Sequence, residues 1–300
     1  MRIPRQRIFY SLQAAGIAAG FGLLRLMPVD WASALGGFLA RSIGPRLKVS
    51  DVARRNLAAA FPEKGAAERE AILRGVWDNL GRTGAEYSQL DRIFDTGPDG
   101  PVIGGRIQAD PDTVERFLAL RDDGRPAIIF TGHCANWELL PIGAARHGLS
   151  VVVFFRPPNN PFAADLVRRI RRRSMGRLLP SGLLGVKAAS EALEQGEHLG
   201  MLVDQHYGLG LPIPFFGRPA QTAATLAKLA RRFRCPVHGA FVERIGGTRF
   251  RLVVQPALEI RWTDDAESDV RNLMIEVNKA IEDWVRRHPG QWLWLHRRWR

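Results

Sequence analysis

Short, almost wholly apolar runs alternate with stretches of helical spacing through the second half of the chain, and that alternation leaves few architectures open. "PAIIFTG", "LSVVVFFR", "HLGMLVDQ", "PVHGAFVERI" and "RFRLVVQPALEI" have the length and β-branched content of strands. The stretches beginning at Thr113, Asn136, Phe162, Lys187, Thr222 and Asp269 have the period of helices. The first three strands are apolar on both faces, as parallel strands covered by helices must be. Gly246 and Gly247 read as a turn joining the last two strands as an antiparallel hairpin. The expected fold class is therefore α/β, with a mixed, mainly parallel sheet flanked by helices. In such sheets chemistry sits beyond the carboxyl ends of the strands.

Upstream, "VARRNLAAAFPEKGAAEREAILRGVWDNLGRTGAEYSQL" reads as two helices broken at "FPEKG", a helical platform. The turn-rich stretch 94–105 marks the start of the main domain. Before the platform, residues 8–24, "IFYSLQAAGIAAGFGLL", follow Arg2, Arg5 and Arg7 and carry no charge. At about 17 residues the run is at the lower limit for a bilayer-spanning helix, and a second, weaker apolar stretch with Trp31 near its start suits an interfacial segment. The expectation is a membrane anchor and interfacial segment over 1–50, a platform over 51–100 and a catalytic domain over 101–300. A cleaved signal peptide and a buried helical hairpin are the competing readings of the N-terminus.

Lys and Arg outnumber Asp and Glu by 43 to 30, a formal charge of +13, which points to anionic partners. With only Cys134 and Cys235, the sequence argues against a disulfide-stapled secreted domain, and a reducing, cytosol-facing setting fits better.

His133, Arg156 and Asp204 each lie just past a strand, and they converge if those strands are neighbours. Glu138 follows His133 by five residues, about 140° on a continuous helix, so the two meet only if His133 stands in a loop and Glu138 in the first turn of the next helix. Asn136 is placed to cap that helix. The carboxylate of Glu138 would then fix one ring nitrogen of His133 and leave the other to take a proton from an alcohol. This dyad without a protein nucleophile suits direct acyl transfer from a thioester to a hydroxyl, with backbone amides at the helix start facing the oxyanion. A structural histidine, a distant metal site at His206 and a thiol nucleophile at Cys134 are the alternatives.

"GHCANWE", "FFRPPNNP", "LVDQH", "LPIPFFGRPAQT" and the closing "QWLWLHRRWR" together resemble the late acyltransferases of lipid A biosynthesis, of the lysophospholipid acyltransferase superfamily. The resemblance runs the length of the chain. It implies that His133 is the general base and Glu138 its support, and that Arg156 binds substrate phosphate or stabilises the transition state. It further implies that Asp204 and Gln205 orient the substrate and that "PFFG" with Arg218 closes over the lipid; Asn136 joins these as a substrate-binding candidate. The implied donor is an acyl thioester on acyl carrier protein, or on coenzyme A in some relatives. The implied acceptor is an anionic, phosphorylated glycolipid. No metal or tightly bound cofactor is implied. The setting would be a bacterial inner membrane, with the catalytic domain on its cytoplasmic face. A relative acting on a glycosylated phospholipid or an aminolipid would share the dyad.

The basic clusters sort on that basis. The run of arginines from Arg168 to Arg173 reads as a solvated helix face. Trp292, Trp294 and Trp299 with "HRRWR" read as a membrane-interface belt. Thr222 stands near a helix start where an anion could sit. No RNA-binding motif accompanies the basic and aromatic residues, so nucleic acid is not an expected partner.

Overall fold

The computed structural model describes residues 5–97, 100–102, 105–155 and 160–299. Five helices come first: α1 (Arg5–Leu26), α2 (Val29–Ile43), α3 (Ser50–Ala60), α4 (Ala66–Glu86) and the short α5 (Leu90–Ile93). The break between α3 and α4 falls where the sequence places it, because Pro62 follows the last turn and Glu68 accepts from the Gly65 amide in a capping arrangement at 2.8 Å. Helices α2 and α4 cross at Gly36 and Gly81. A methyl at either position would lie within 2.4 Å of the other helix's backbone carbonyl, so the close approach requires glycine on both sides.

The α/β part follows as β1 (Ile107–Gln108), α6 (Pro111–Asp122), β2 (Ile128–Thr131), α7 (Leu139–Arg146), β3 (Val151–Phe155), α8 (Pro161–Ser174) and β4 (Leu178–Pro180). It continues with α9 (Leu183–Glu194), β5 (His198–Leu202), β6 (Leu211–Phe215), β7 (Arg218–Thr222), α10 (Thr225–Phe233), β8 (Val237–Gly246), β9 (Arg249–Ala257) and α11 (Ala266–Arg287). Seven strands form one sheet in the order β1-β9-β8-β2-β5-β3-β4, every pairing parallel except β8 with β9. The expected glycine turn joins that antiparallel pair. Strands β6 and β7 form a separate two-stranded hairpin.

Side-chain alternation divides the sheet between two cores. On one face Ile128, Phe130, Val152, Leu199 and Val237 cluster with Leu193, Leu226, Met274, Ile281 and Trp284. Trp284 of α11 stacks on Phe130 and on Phe241, with ring centroids 5.6 and 4.8 Å apart. On the other face Ile129, Val153 and Val254 meet Leu120, Ala144 and Leu149.

The N-terminus corrects the expected spanning anchor. The run 8–24 does lie within one helix, α1, but its interior is largely alanine and glycine and is interrupted by Ser11 and Gln13. Among the described residues no helix is long and apolar enough to cross a membrane. Instead Arg25 is tied to Asp91 by two bonds of 2.8 and 2.7 Å, and the Asn160 amide ahead of α8 donates to the Tyr10 carbonyl at 2.9 Å. Helices α1 and α2 nonetheless leave Phe9, Leu12, Leu23, Trp31, Phe38, Leu39 and Ile43 exposed to solvent.

The expected C-terminal interface belt is also corrected. Trp292 and Trp294 are fully buried and pack edge to face, 4.6 Å apart, against Phe215 and Phe216. The "PFFG" segment is thus the turn of the β6–β7 hairpin, seated in this aromatic core, and does not line the cavity described below. Thr222 ends β7, three residues before α10 begins, where its hydroxyl is buried between Arg298 and the Ala220 carbonyl, so no anion reaches it.

Candidate active site

The position of β5 in the sheet builds the site. Strand β5 returns between β2 and β3, and its register pairs Thr131 with Leu202. Two residues further along each strand stand His133 and Asp204, so the loops beyond β2 and β5 bring them together. Nδ1 of His133 lies 2.7 Å from Oδ1 of Asp204, and the His133 backbone N–H donates to Oδ2 at 2.7 Å. The indole N–H of Trp292 donates to the same Oδ2, also at 2.7 Å.

Burial disfavours the charge on Asp204, yet His133 and these hydrogen bonds outweigh that cost and hold its carboxyl well below the usual carboxylate range. An ionised partner on Nδ1 fixes the ring and leaves Nε2 facing outward. The side-chain amide of Gln205, which is exposed, stands beside Nε2 at 3.4 Å.

Glu138 takes a different place from the one its spacing suggests. It occupies the N-cap position of α7, just ahead of Leu139, and is 2% exposed. Its carboxylate accepts from the Trp137 indole at 2.9 Å, from the Tyr87 hydroxyl, and from Arg171 in a two-pronged contact whose Nε arm is 3.0 Å long. The His133 ring bonds to Asp204 and Gln205 and makes no hydrogen bond to Glu138, so the expected direct dyad is replaced by a His133–Asp204 pair. The link that remains runs through Trp137, whose ring meets the His133 ring edge to face at 4.9 Å.

Arg171, Tyr87 and Trp292 are the functional neighbours that sequence reasoning missed. Arg171 belongs to the arginine run read as a solvated face, but it turns inward over Phe155, 5.0 Å from the ring centroid, to reach Glu138. Its position four residues after Val167 and seven after Ala164, on one apolar stripe at helical spacing, was the available signal.

The loop that carries His133 is clamped from two sides. Ala135, in the left-handed backbone region at φ 48°, donates its N–H to the Gln291 carbonyl at 2.8 Å. Its own carbonyl accepts from Asn79 and Thr83 of α4 at 3.2 and 3.1 Å. Leu293 N–H donates to the His133 carbonyl at 3.1 Å.

Asn136 is corrected from a cap and substrate contact to a buried strut. Its side chain is fully enclosed and donates to Glu86 at 2.9 Å. Of the amides at the helix start expected to face an oxyanion, that of Leu139 is committed to the Asn136 carbonyl at 3.1 Å, and those of His133, Cys134 and Ala135 in the loop ahead are likewise bonded within the fold.

Cys134 is buried, and burial pushes its thiol well up, which leaves no thiolate to act as a nucleophile. Arg156 lies outside the described residues. Arg218 is exposed in a shallow cleft with Arg55, Arg297 and Trp299, and its guanidinium stands 5.7 Å over the Trp299 ring.

Beside the His133 loop an apolar cavity of about 290 Å³ opens between the sheet and helices α6 and α7. Trp137, Glu138, Arg171, Thr131 and Leu202 line it near the carboxyl edge of the sheet, and Val151, Leu149 and Leu120 line it further in. A histidine held by a buried carboxylate, packed on Trp137 in the wall of an apolar cavity, suits a class of enzyme that acts at the end of an apolar chain.

Comparison with known proteins gives the family. Residues 3–300 match the family model described as bacterial lipid A biosynthesis acyltransferase, and the chain belongs to that family. It is 28% identical over 302 residues to a lipid A biosynthesis palmitoleoyltransferase of Escherichia coli, covering 94% of this chain and 90% of the relative. It is 26% identical to the lipid A biosynthesis myristoyltransferase of the same organism, over 93% of this chain and 84% of the relative. It is likewise 26% identical to the lauroyltransferase of that organism, over 89% and 83%. The protein is an acyltransferase.

Proposed function

We propose that the protein transfers a fatty acyl chain from a thioester, carried by acyl carrier protein, to a hydroxyl of a phosphorylated glycolipid precursor of lipid A. The observation that carries the reading is the His133 ring, bonded to Asp204 through Nδ1 and set 4.9 Å from Trp137, which lines the apolar cavity. The acceptor hydroxyl gives its proton to Nε2 as its oxygen attacks the thioester carbonyl. The C–O bond forms, the C–S bond breaks, and the imidazolium returns the proton to the leaving thiolate. Asp204 stabilises the imidazolium between the two transfers. Gln205, beside Nε2, orients the incoming hydroxyl, and the apolar cavity takes the chain of the donor.

In this reading Glu138 is a positioning residue. It holds Trp137 against His133 and anchors Arg171 at the cavity mouth. Arg156 and Arg218 are assigned to the anionic groups of the substrates. The exposed apolar residues of α1 and α2 rest on the cytoplasmic surface of the inner membrane, where the lipid acceptor is found, and the charge of +13 supports contact with anionic headgroups.

The test is acyl transfer from acyl carrier protein thioesters to a tetra-acylated lipid A precursor in detergent micelles, with wild type and His133→Ala compared. Product from the wild type and at least about a hundredfold less from the variant supports the reading. Equal product from both overturns His133 as the base.

A further inference from the structure

The apolar cavity is lined from six strands, mostly by alternate residues, and one of those positions has no side chain. Gly200 lies within β5, between β2 and β3, at the level of Ile129 on one side and Val153 on the other. A glycine inside a strand weakens it and marks a place where something approaches the backbone closely. Here the approach is by the side chains of Val153 and Val151, which lean into the room left at Gly200, itself part of the cavity wall. A methyl group added at this position would stand 2.8 Å from a γ-methyl of Val153 and 3.2 Å from one of Val151, both of which line the same cavity. Val153 would have to yield, and the space beside it is the cavity.

The register locates this position along the cavity. Leu202 stands near the mouth, two residues from Gly200, and His198, paired with Val151, lies two residues beyond it. At about 3.3 Å per residue, Gly200 is roughly 7 Å in from the Leu202 level and Val151 roughly 13 Å in.

We infer that Gly200 is the residue that admits a long acyl chain past the middle of the cavity, and that Val151 bounds the space beyond it. The inference rests on the acyl-transfer reading above. The geometry is a wall in which Val153 and Val151 lean into the room that a side chain at position 200 would take, so that any side chain there pushes them into the cavity.

The experiment offers the full-length enzyme an equimolar mixture of acyl carrier protein thioesters from octanoyl to palmitoyl and measures the chain profile of the product. Gly200→Ala is expected to lower the ratio of the longest to the shortest transferred chains by at least about tenfold, the scale of discrimination that one methylene provides in an apolar pocket. Val151→Ala is expected to move the profile in the opposite direction, toward longer chains. If the wild type transfers chains and both variants keep its profile, even at lower rates, the inference is overturned while the functional reading stands. If the wild type transfers no chain from any thioester, the reading falls and the inference with it. Should Gly200→Ala fail to fold, the Val151→Ala profile decides alone.

Discussion

Asp204 holds His133 at two points at once, with one carboxylate oxygen on the ring Nδ1 and the other on the backbone N–H, each at 2.7 Å. Both ring orientation and loop position therefore depend on one buried carboxylate. Asp204→Asn keeps the shape and loses the charge. It is expected to lower kcat at least about a hundredfold with a small change in KM. Steady-state transfer rates check this, and an unchanged kcat would remove Asp204 from the mechanism.

Glu138→Gln is expected to cost at least about tenfold less in kcat than Asp204→Asn, because the amide can still accept from Trp137 while the charge opposite Arg171 is lost. The pH–rate profile should move for Asp204→Asn and stay in place for Glu138→Gln. The reverse pattern would restore Glu138 as the partner of the base.

Glu86 and Arg244 form a buried pair at 2.5 Å, with Ser33, Asn79 and Asn136 completing their hydrogen bonds. The pair joins α2, α4 and β8 to the site loop. Arg244→Ala leaves a buried carboxylate without its cation and should lower unfolding stability by about 3–5 kcal/mol. Denaturant unfolding in detergent measures it, and a loss below about 1 kcal/mol would show that the cluster relaxes.

Burial lowers the proton affinity of His198, His238 and His296 in the folded protein. The unfolded chain takes up these protons near the ordinary histidine value of about 6.5, and the fold resists them. Stability from these groups is complete above that value and declines as the pH falls below it. Thermal midpoints should therefore drop between pH 7.5 and 5.5, and a flat or rising midpoint would contradict the burial of these rings. Asp204 adds a second loss only at lower pH, below its unfolded value of about 4.

Trp31 and Phe38 are exposed on α2 with no protein partner surface over most of their rings. Replacing both with glutamate should reduce co-sedimentation with anionic phospholipid vesicles at least about tenfold while transfer to a detergent-dispersed acceptor persists. Unchanged sedimentation would show that α2 makes no membrane contact.

Local patterns carried the strands β2, β3, β5, β8 and β9, the helix break at Pro62 and the glycine hairpin, because each depends on residues within one element. The partner of His133 did not show in the same way. Nothing near Leu202 says that β5 inserts beside β2, and that insertion alone makes Asp204 the neighbour in place of the nearby Glu138. Trp292 was misplaced for a related reason: an aromatic and basic composition suits an interface and a core equally, and only the packing against Phe215 decides. Arg171 shows the limit of reading a charge run as one face, since a single turn separates it from exposed Arg168.

The clamp on the His133 loop reaches across more than half the chain, from residue 133 to residues 291 and 293. During synthesis the strands and His133 emerge well before that clamp does. A ribosome-bound chain can hold the whole sheet and still lack the amide acceptor for Ala135 and the indole that steadies Asp204. Closure of the His133 loop therefore waits for residues 291 to 293, whatever the order in which the strands form.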